Sequence, residues 1–202
     1  MNNINFENGL YKIANNLKNN YLVTFLSQYN IIKSIEPDFI TINTDNIQPL
    51  NSDENINKYS KDLYVNKFIN DIGCQILLLK QYNLAIKYLS LDDIIVINDD
   101  IFVFINNDML FDLLETIDID ASPYTYGKID FHNVDFKSLF LPNEINSDKQ
   151  KYYYYTTSFY SFAKLLLHFF DIKLKDIADT SLYFFCERCL IENPVDRSFI
   201  FI

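Results

Sequence analysis

Apolar residues return at helical spacing in four stretches of the chain. From Gly9 to Gln28 they fall at Leu10, Ile13, Leu17, Leu22, Phe25 and Leu26, which predicts an amphipathic helix. Lys61 to Tyr82 carries the same spacing through Leu63, Phe68, Ile72, Ile76 and Leu79, and helical runs return at Tyr152–Phe170 and Leu182–Ile191. Short β-rich runs lie between them. Ile31–Ile35 and Phe39–Ile42 flank Glu36-Pro37-Asp38, while Ile94–Val96 and Ile101–Ile105 flank Asn98-Asp99-Asp100; both pairs read as hairpins. Asp45 to Ser60 is polar, has no period and contains Pro49, so it reads as a loop. Asn107 to Pro142 is weakly periodic and includes Asp118-Ile119-Asp120-Ala121-Ser122-Pro123; an irregular segment of that length in a compact domain is usually functional. No internal repeat is visible. Helix, hairpin, helix, hairpin, irregular segment and helices, in that order, predict an α+β domain with segregated elements.

Composition narrows the function. A chain of 202 residues with 49% apolar and 16% aromatic content can bury a substantial core, which excludes disorder as a description of the whole. The balance of 17 Lys+Arg against 27 Asp+Glu, a net charge of -10, argues against a duplex-DNA or anionic-membrane partner, because phosphate contacts need clustered cations. The three glycines, Gly9, Gly73 and Gly127, lie far apart and exclude a glycine-rich phosphate loop. Asn, Ile, Lys, Tyr and Phe, the residues of A/T-rich codons, are over-used, so Asn15-Asn16 and Asn19-Asn20 carry little functional weight. Only two arginines occur, Arg188 and Arg197, and each calls for its own account.

The N-terminal stretch lacks a basic segment followed by an apolar one, so no secretory signal is expected there. Tyr152–Phe170 is long enough to cross a bilayer, but Lys164 and His168 interrupt it, and a buried core helix is the better reading. Cys74, Cys186 and Cys189 suggest reduced thiols in a cytoplasmic protein. Cys186 and Cys189 form a C-x-x-C. A zinc site would need further ligands, and Cys74, His132 and His168 show no paired spacing, so two core thiols on one helix face are expected.

Four segments, in order, resemble the protein kinase fold. Cys189-Leu190-Ile191-Glu192-Asn193-Pro194-Val195-Asp196-Arg197 matches the late large-lobe pattern C-L-x-x-[DN]-P-x-x-R at each fixed position. Upstream, Leu141-Pro142-Asn143-Glu144 stands where kinases carry A-P-E. Ser158 to Leu166 resembles the helix motif D-V-Y-S-F-G-I-L-L, and Gln28-Tyr29-Asn30-Ile31-Ile32-Lys33 resembles the H-P-N-I-I-K that follows the regulatory helix. Asp93-Ile94-Ile95-Val96 and Val103-Phe104-Ile105-Asn106 fall where N-I-L-V and the strand before D-F-G belong. The resemblance implies a mainly helical large lobe over residues 49–202 and a reduced small lobe, one helix plus a hairpin, over 1–48. It also implies that Glu144 pairs with Arg197, for which arginine's planar fork is suited and lysine is not.

Residue by residue, the same resemblance implies lost catalysis. Phosphoryl transfer needs phosphates held, Mg²⁺ chelated and a base at the nucleophile. With the predicted helix so near the start, no glycine-rich loop or V-A-I-K strand is expected before it, and Gly9 to Ile35 contains no acidic residue to meet a clamp lysine. The shortened catalytic loop, Lys87 to Asp93, places Ser90 at the base position and Asp93 at the Asn position, with Asp92 the nearby carboxylate. D-F-G becomes Asn106-Asn107-Asp108, and the Asp that braces the catalytic loop becomes Ser158.

The expectation is therefore a truncated pseudokinase acting as a protein-interaction module, with no cofactor, no metal and no bound nucleotide. Its A/T-rich composition and shortening also resemble kinase-like proteins of giant DNA viruses, with a low-G+C protist as the alternative source. A -10 charge favours a basic protein partner, with Asp92, Asp93, Asp99, Asp100 and Asp108 as candidate exposed carboxylates near the former active site. Two alternatives remain. One is a degenerate serine/threonine kinase using Asp92, Asp93 and Asp108 on a metal; the other is a structural virus-particle component with Tyr152–Tyr155 as an interface.

Overall fold

A computed structural model describes residues 4–7, 10–15, 18–114, 126–127, 140–146 and 153–199. The expected features at Asp118–Pro123, His132 and Tyr152 lie outside these residues. The fold is α+β with antiparallel sheets.

The strand β2 (Leu10–Ala14) occupies the first part of the stretch where a single helix is expected from Gly9 to Gln28, and a strand with no counterpart in the sequence reading, β1 (Ile4–Glu7), precedes it. The helix α1 is confined to Asn20–Ser27. Leu10, Ile13 and Leu17 mimic helical spacing by coincidence. The stronger signal is local: Ile4 and Phe6, then Tyr11 and Ile13, alternate with polar residues on either side of Asn8-Gly9, a hairpin dipeptide. β1 pairs antiparallel with β2, which in turn pairs with β4 (Phe39–Ile42), and β4 pairs with β3 (Ile32–Ile35). The sheet order is β1-β2-β4-β3, so the N-terminal unit is a four-stranded sheet with one helix, larger than the helix and hairpin expected. Tyr21, Leu22, Phe25 and Leu26 form the buried face of α1, in one core cluster with Ile13, Ile40 and Ile42 from the sheet.

The stretch expected as a loop from Asp45 to Ser60 holds β5 (Ile47–Pro49) and α2 (Asp53–Tyr59). Ser52 caps α2 by accepting from the Asn55 N–H; Asp53 and Glu54 sit in its first turn and Lys58 in its last, each complementing the helix dipole. Charge placement organises this short helix, and it has too few turns to display a period. Pro49 is tolerated at the end of an edge strand, where a missing N–H costs no ladder bond.

The long helix α3 (Val65–Gln81) follows, then β6 (Leu84–Ile86) and the hairpin of β7 (Ile94–Ile97) with β8 (Ile101–Phe104). Asn98 and Asp99 both have positive φ, as the two central residues of a type I′ hairpin turn require. The chain continues through β9 (Leu110–Asp112), β10 (Tyr126–Gly127) and β11 (Tyr153–Tyr154) to α4 (Thr157–Phe169) and α5 (Ser181–Cys189). β9 pairs with β6, and β10 with β11. Gly127 lies so close to β9 that a Cβ there would stand 2.0 Å from the Asp112 carbonyl oxygen, so only glycine permits this approach.

Phe68 of α3 is the centre of an aromatic cluster, with ring centroids 5.1–5.8 Å from Phe102, Phe162, Phe169 and Phe170. The sheet unit and the helical remainder share one core cluster. Polar ties reinforce that union: the Tyr21 hydroxyl donates to the Phe104 carbonyl at 3.2 Å, the Tyr29 hydroxyl to Asp71 at 2.8 Å, and Lys18 to Asp112 at 2.8 Å. No helix among the described residues is long and apolar enough to cross a membrane.

The outer edge of β8 is satisfied by side chains instead of a further strand. Asp71 Oδ2 accepts from the Phe102 N–H at 2.9 Å. Gln75, fully buried, accepts from the Phe104 N–H at 2.9 Å and donates to the Phe102 carbonyl at 3.0 Å. Asp71 and Gln75 are one helical turn apart on α3, so one helix face serves as the missing neighbour of β8.

Candidate functional site

β8 runs directly into Asn106, and β7 begins directly after Asp93, so the hairpin brings these two positions together. The Asn106 amide Nδ2 donates to Asp93 Oδ1 at 2.6 Å, and the Ser90 N–H donates to Oδ2 at 3.1 Å. Asn106 Oδ1 in turn accepts from the Asp108 N–H at 3.1 Å. The hydroxyl of Ser90 caps the short turn at Leu91–Asp93 by accepting from the Asp92 N–H at 3.3 Å. It is thus a capping residue held inside its own turn, and its neutral hydroxyl cannot supply the proton acceptor that a carboxylate would at this position. Asp92 is exposed and accepts from Asn51 at 2.5 Å. Asp108 leaves its carboxylate exposed, while its carbonyl accepts from the buried Lys87 ammonium at 2.9 Å.

Ser90, Asp92, Asp93, Asn106 and Asp108 therefore share one cluster. Asp99 and Asp100 do not. They sit at the opposite end of the β7–β8 hairpin, where Asp99 accepts from Tyr59 and Lys58, and Asp100 lies 3.7 Å from Lys67. A four-residue strand separates the groups by about 13 Å, so the five carboxylates form no single patch.

Ser158 lies below the cluster on α4. Its hydroxyl accepts from the Ile86 N–H at 2.8 Å and donates to the Ile86 carbonyl at 3.1 Å, and Ser161 accepts from the Leu89 N–H at 2.6 Å. Two serines of one helix face thus grip the loop Ile86–Leu89 from beneath.

Glu144 and Arg197 meet at a third place. Arg197 Nη2 donates to Glu144 Oε2 at 2.9 Å and Nη1 donates to Oε1, a bidentate fork buried on both sides. The remaining guanidinium donors reach the carbonyls of Ile191 (Nε, 2.6 Å) and Glu192 (Nη2, 2.9 Å), and the Tyr160 ring lies 4.8 Å from the guanidinium carbon. Thr157 adds a donor to Glu144 at 3.3 Å. Arg188, at the C-terminal turn of α5, is given no role by the structure beyond a cation near a helix C-terminus.

Cys186 and Cys189 are buried, and burial pushes the Cys186 thiol up to about 12 and the Cys189 thiol higher still, which removes thiolate reactivity. Among the described residues no group of three His, Cys, Asp or Glu is arranged to hold a metal. Both oxygens of Asp93 and the Asn106 carbonyl oxygen already face protein N–H donors, so the best candidate oxygens are turned inward. Asn107 Oδ1 is buried with no hydrogen-bond partner among the described residues.

Asp71, Gln75 and Lys87 escaped the sequence reading. Their signal was a polar pair spaced i, i+4 inside the apolar stripe of α3, and a lysine between two β-rich runs.

Burial raises the Asp93 carboxyl to about 6, against the lowering effect of the Asn106 and Ser90 hydrogen bonds. In the folded state this group holds its proton where the unfolded chain has released it. Its contribution is therefore fully present below the ordinary aspartate range and is lost as pH rises through about 6. Asp71 is raised by burial in the same direction. The expected result is that Asp93→Asn flattens the stability–pH slope between pH 5 and 7.5 by on the order of 1 kcal/mol, read from denaturant midpoints at each pH. An unchanged slope would show that Asp93 ionises normally.

The chain matches no protein-family model and no curated protein.

Proposed function

We propose that this chain is a degenerate protein kinase-like protein that binds other proteins and does not transfer phosphate. The observation that carries the reading is the buried fork between Glu144 and Arg197, because kinases use the corresponding glutamate and arginine to tie the end of the activation segment to the large lobe. The grip of Ser158 on the Ile86 backbone also supports it, since the kinase helix places an Asp under its catalytic loop.

The catalytic positions support loss of function. β2, the strand before α1, stands where kinases carry the clamp lysine. Lys12 on this strand pairs with exposed Glu7 at 2.8 Å, and α1 contains no acidic side chain to receive it. The catalytic-loop Asn and the metal-binding Asp are exchanged, as Asp93 and Asn106, and bond to each other. With Lys12 engaged by Glu7 and with Asp93 turned inward against Asn106, the described residues of the cluster leave Asp92 and Asp108 as exposed carboxylates and offer no cationic clamp for developing phosphate charge. The surface that kinases present to substrates and regulators is then free for a protein partner, and a -10 charge favours a basic one. We place the chain with the kinase-like proteins of giant DNA viruses on the same resemblance.

A thermal-shift titration with Mg²⁺·ATP tests the reading. No change in midpoint at millimolar nucleotide is expected, because a ligand that binds only the folded state must raise it. A saturable rise would favour the degenerate kinase instead.

A further inference from the structure

The two edges of the N-terminal sheet are built differently. On β3 the register shifts between Ile32 and Ser34, a bulge, and the strand carries exposed Lys33; both devices discourage edge-to-edge pairing. β1 has neither a bulge, a lysine nor a proline, and Phe6 on it is 63% exposed. The register fixes which backbone groups face outward. Asn15 N–H donates to the Asp38 carbonyl across β2 and β4, so the odd positions of β2 serve β4 and the even positions serve β1. Asn5 and Glu7 therefore bond to Lys12 and Leu10, and the N–H and C=O groups of Ile4 and Phe6 point away from the sheet. Among the described residues nothing bonds to them.

We propose that β1 pairs antiparallel with β1 of a second copy of this chain, about a two-fold axis through Asn5, joining two four-stranded sheets into one. The strand is complementary to itself in this register. Ile4 falls opposite the copy's Phe6 and Phe6 opposite its Ile4, which makes two hydrogen-bonded pairs from the four outward residues. Asn5 meets Asn5. Ile4, Asn5 and Phe6 carry no charge, so no like charges are opposed across these pairs. Ile4 and Phe6 lie on the same sheet face as Tyr11 and Ile13, and the Phe6 and Tyr11 rings already touch with centroids 4.7 Å apart. Pairing extends this apolar strip across the seam and covers the exposed ring. A four-residue seam is small, so the dimer is weak and reversible. Two copies at -10 also repel at long range, so added salt strengthens association.

Sedimentation equilibrium from roughly 10 µM to 1 mM, with residue-resolved amide exchange, tests the proposal. A concentration-dependent dimer is expected, tightening at least severalfold from low to 0.5 M NaCl, with the Ile4 and Phe6 amides at least about tenfold better protected at high concentration. Phe6→Pro removes the outward N–H, which an edge strand tolerates, together with the Phe6–Tyr11 ring contact, and should stay monomeric while still unfolding cooperatively at a midpoint only a few degrees lower. Phe6→Lys, which keeps the backbone N–H and charges the seam, should also stay monomeric and serves if the proline variant does not fold. A wild-type chain that stays monomeric throughout, or a dimer that survives both substitutions, overturns the proposal. So does a dimer whose protection appears elsewhere, as would an added extended peptide that protects Ile4 and Phe6 while the chain alone does not associate.

Discussion

Replacing Arg197 with alanine should lower the unfolding midpoint by on the order of 10 °C, the largest single effect expected of any charged side chain here. The guanidinium is buried with Glu144 and uses its donors on two carboxylate oxygens and two main-chain carbonyls. Alanine strands the Glu144 carboxylate in a site with the Thr157 hydroxyl as its remaining side-chain donor. Removing one partner of a buried pair typically costs about 3–5 kcal/mol, and in a domain of this size each kcal/mol moves the midpoint by about 2–4 °C. Arg197→Lys keeps the charge but cannot reach Ile191, Glu192 and both carboxylate oxygens from one nitrogen, so its loss should be intermediate. The double replacement Glu144→Leu with Arg197→Met should lose less than Arg197→Ala, because no uncompensated charge remains. Calorimetry of the four proteins checks the order. If alanine costs under about 1 kcal/mol, the pair is solvated and no longer supports the kinase-like reading.

The long elements were readable because packing acts through period. α3, α4 and α5 bury whole faces, so their apolar spacing survives a composition crowded with Asn and Lys. The hairpins at Pro37 and Asn98-Asp99 were readable because turn chemistry is local. Where elements are short, the period has too few repeats to show: β2 looks like part of a helix, β5 and α2 look like loop, and β1 by itself gives no signal long enough to name. The expected small lobe was one strand pair too small for the same reason. At the cluster, the positions of Asp93 and Asn106 were legible, but their mutual hydrogen bond was not, because it depends on hairpin register. Ser90 illustrates a harder limit. Whether a serine caps a turn or serves chemistry depends on a backbone angle that its neighbours in sequence do not reveal. The five aspartates looked adjacent because the hairpin's length was not converted into distance.

Replacing Gln75 with leucine should cost about 2–6 kcal/mol although the side chain keeps nearly the same volume. The change leaves no cavity, so the loss falls on backbone groups. Gln75 supplies the acceptor for the Phe104 N–H and the donor for the Phe102 carbonyl, at 2.9 and 3.0 Å. Both groups lie on the edge of β8 that no strand among the described residues covers, and water cannot replace a side chain that is 0% exposed. Each stranded buried group costs about 1–3 kcal/mol. Tyr21→Phe, which removes one donor to the Phe104 carbonyl, should cost only about 1 kcal/mol. Gln75→Glu should behave differently from both. A carboxylate can still accept from Phe104, but it faces the Phe102 carbonyl and sits one turn from buried Asp71, so it is tolerated at low pH and destabilising near pH 7.5. Denaturant unfolding gives the energies, and amide exchange gives the location. The Phe104 amide should lose more protection in Gln75→Leu than the Val103 amide, whose N–H faces β7. Because β8 leads straight into Asn106, loosening its edge should also weaken the Asn106–Asp93 bond, visible as a shifted Asp93 titration in the leucine variant. A leucine variant within about 0.5 kcal/mol of wild type, with Phe104 still protected, would mean that the helix face does not hold this edge.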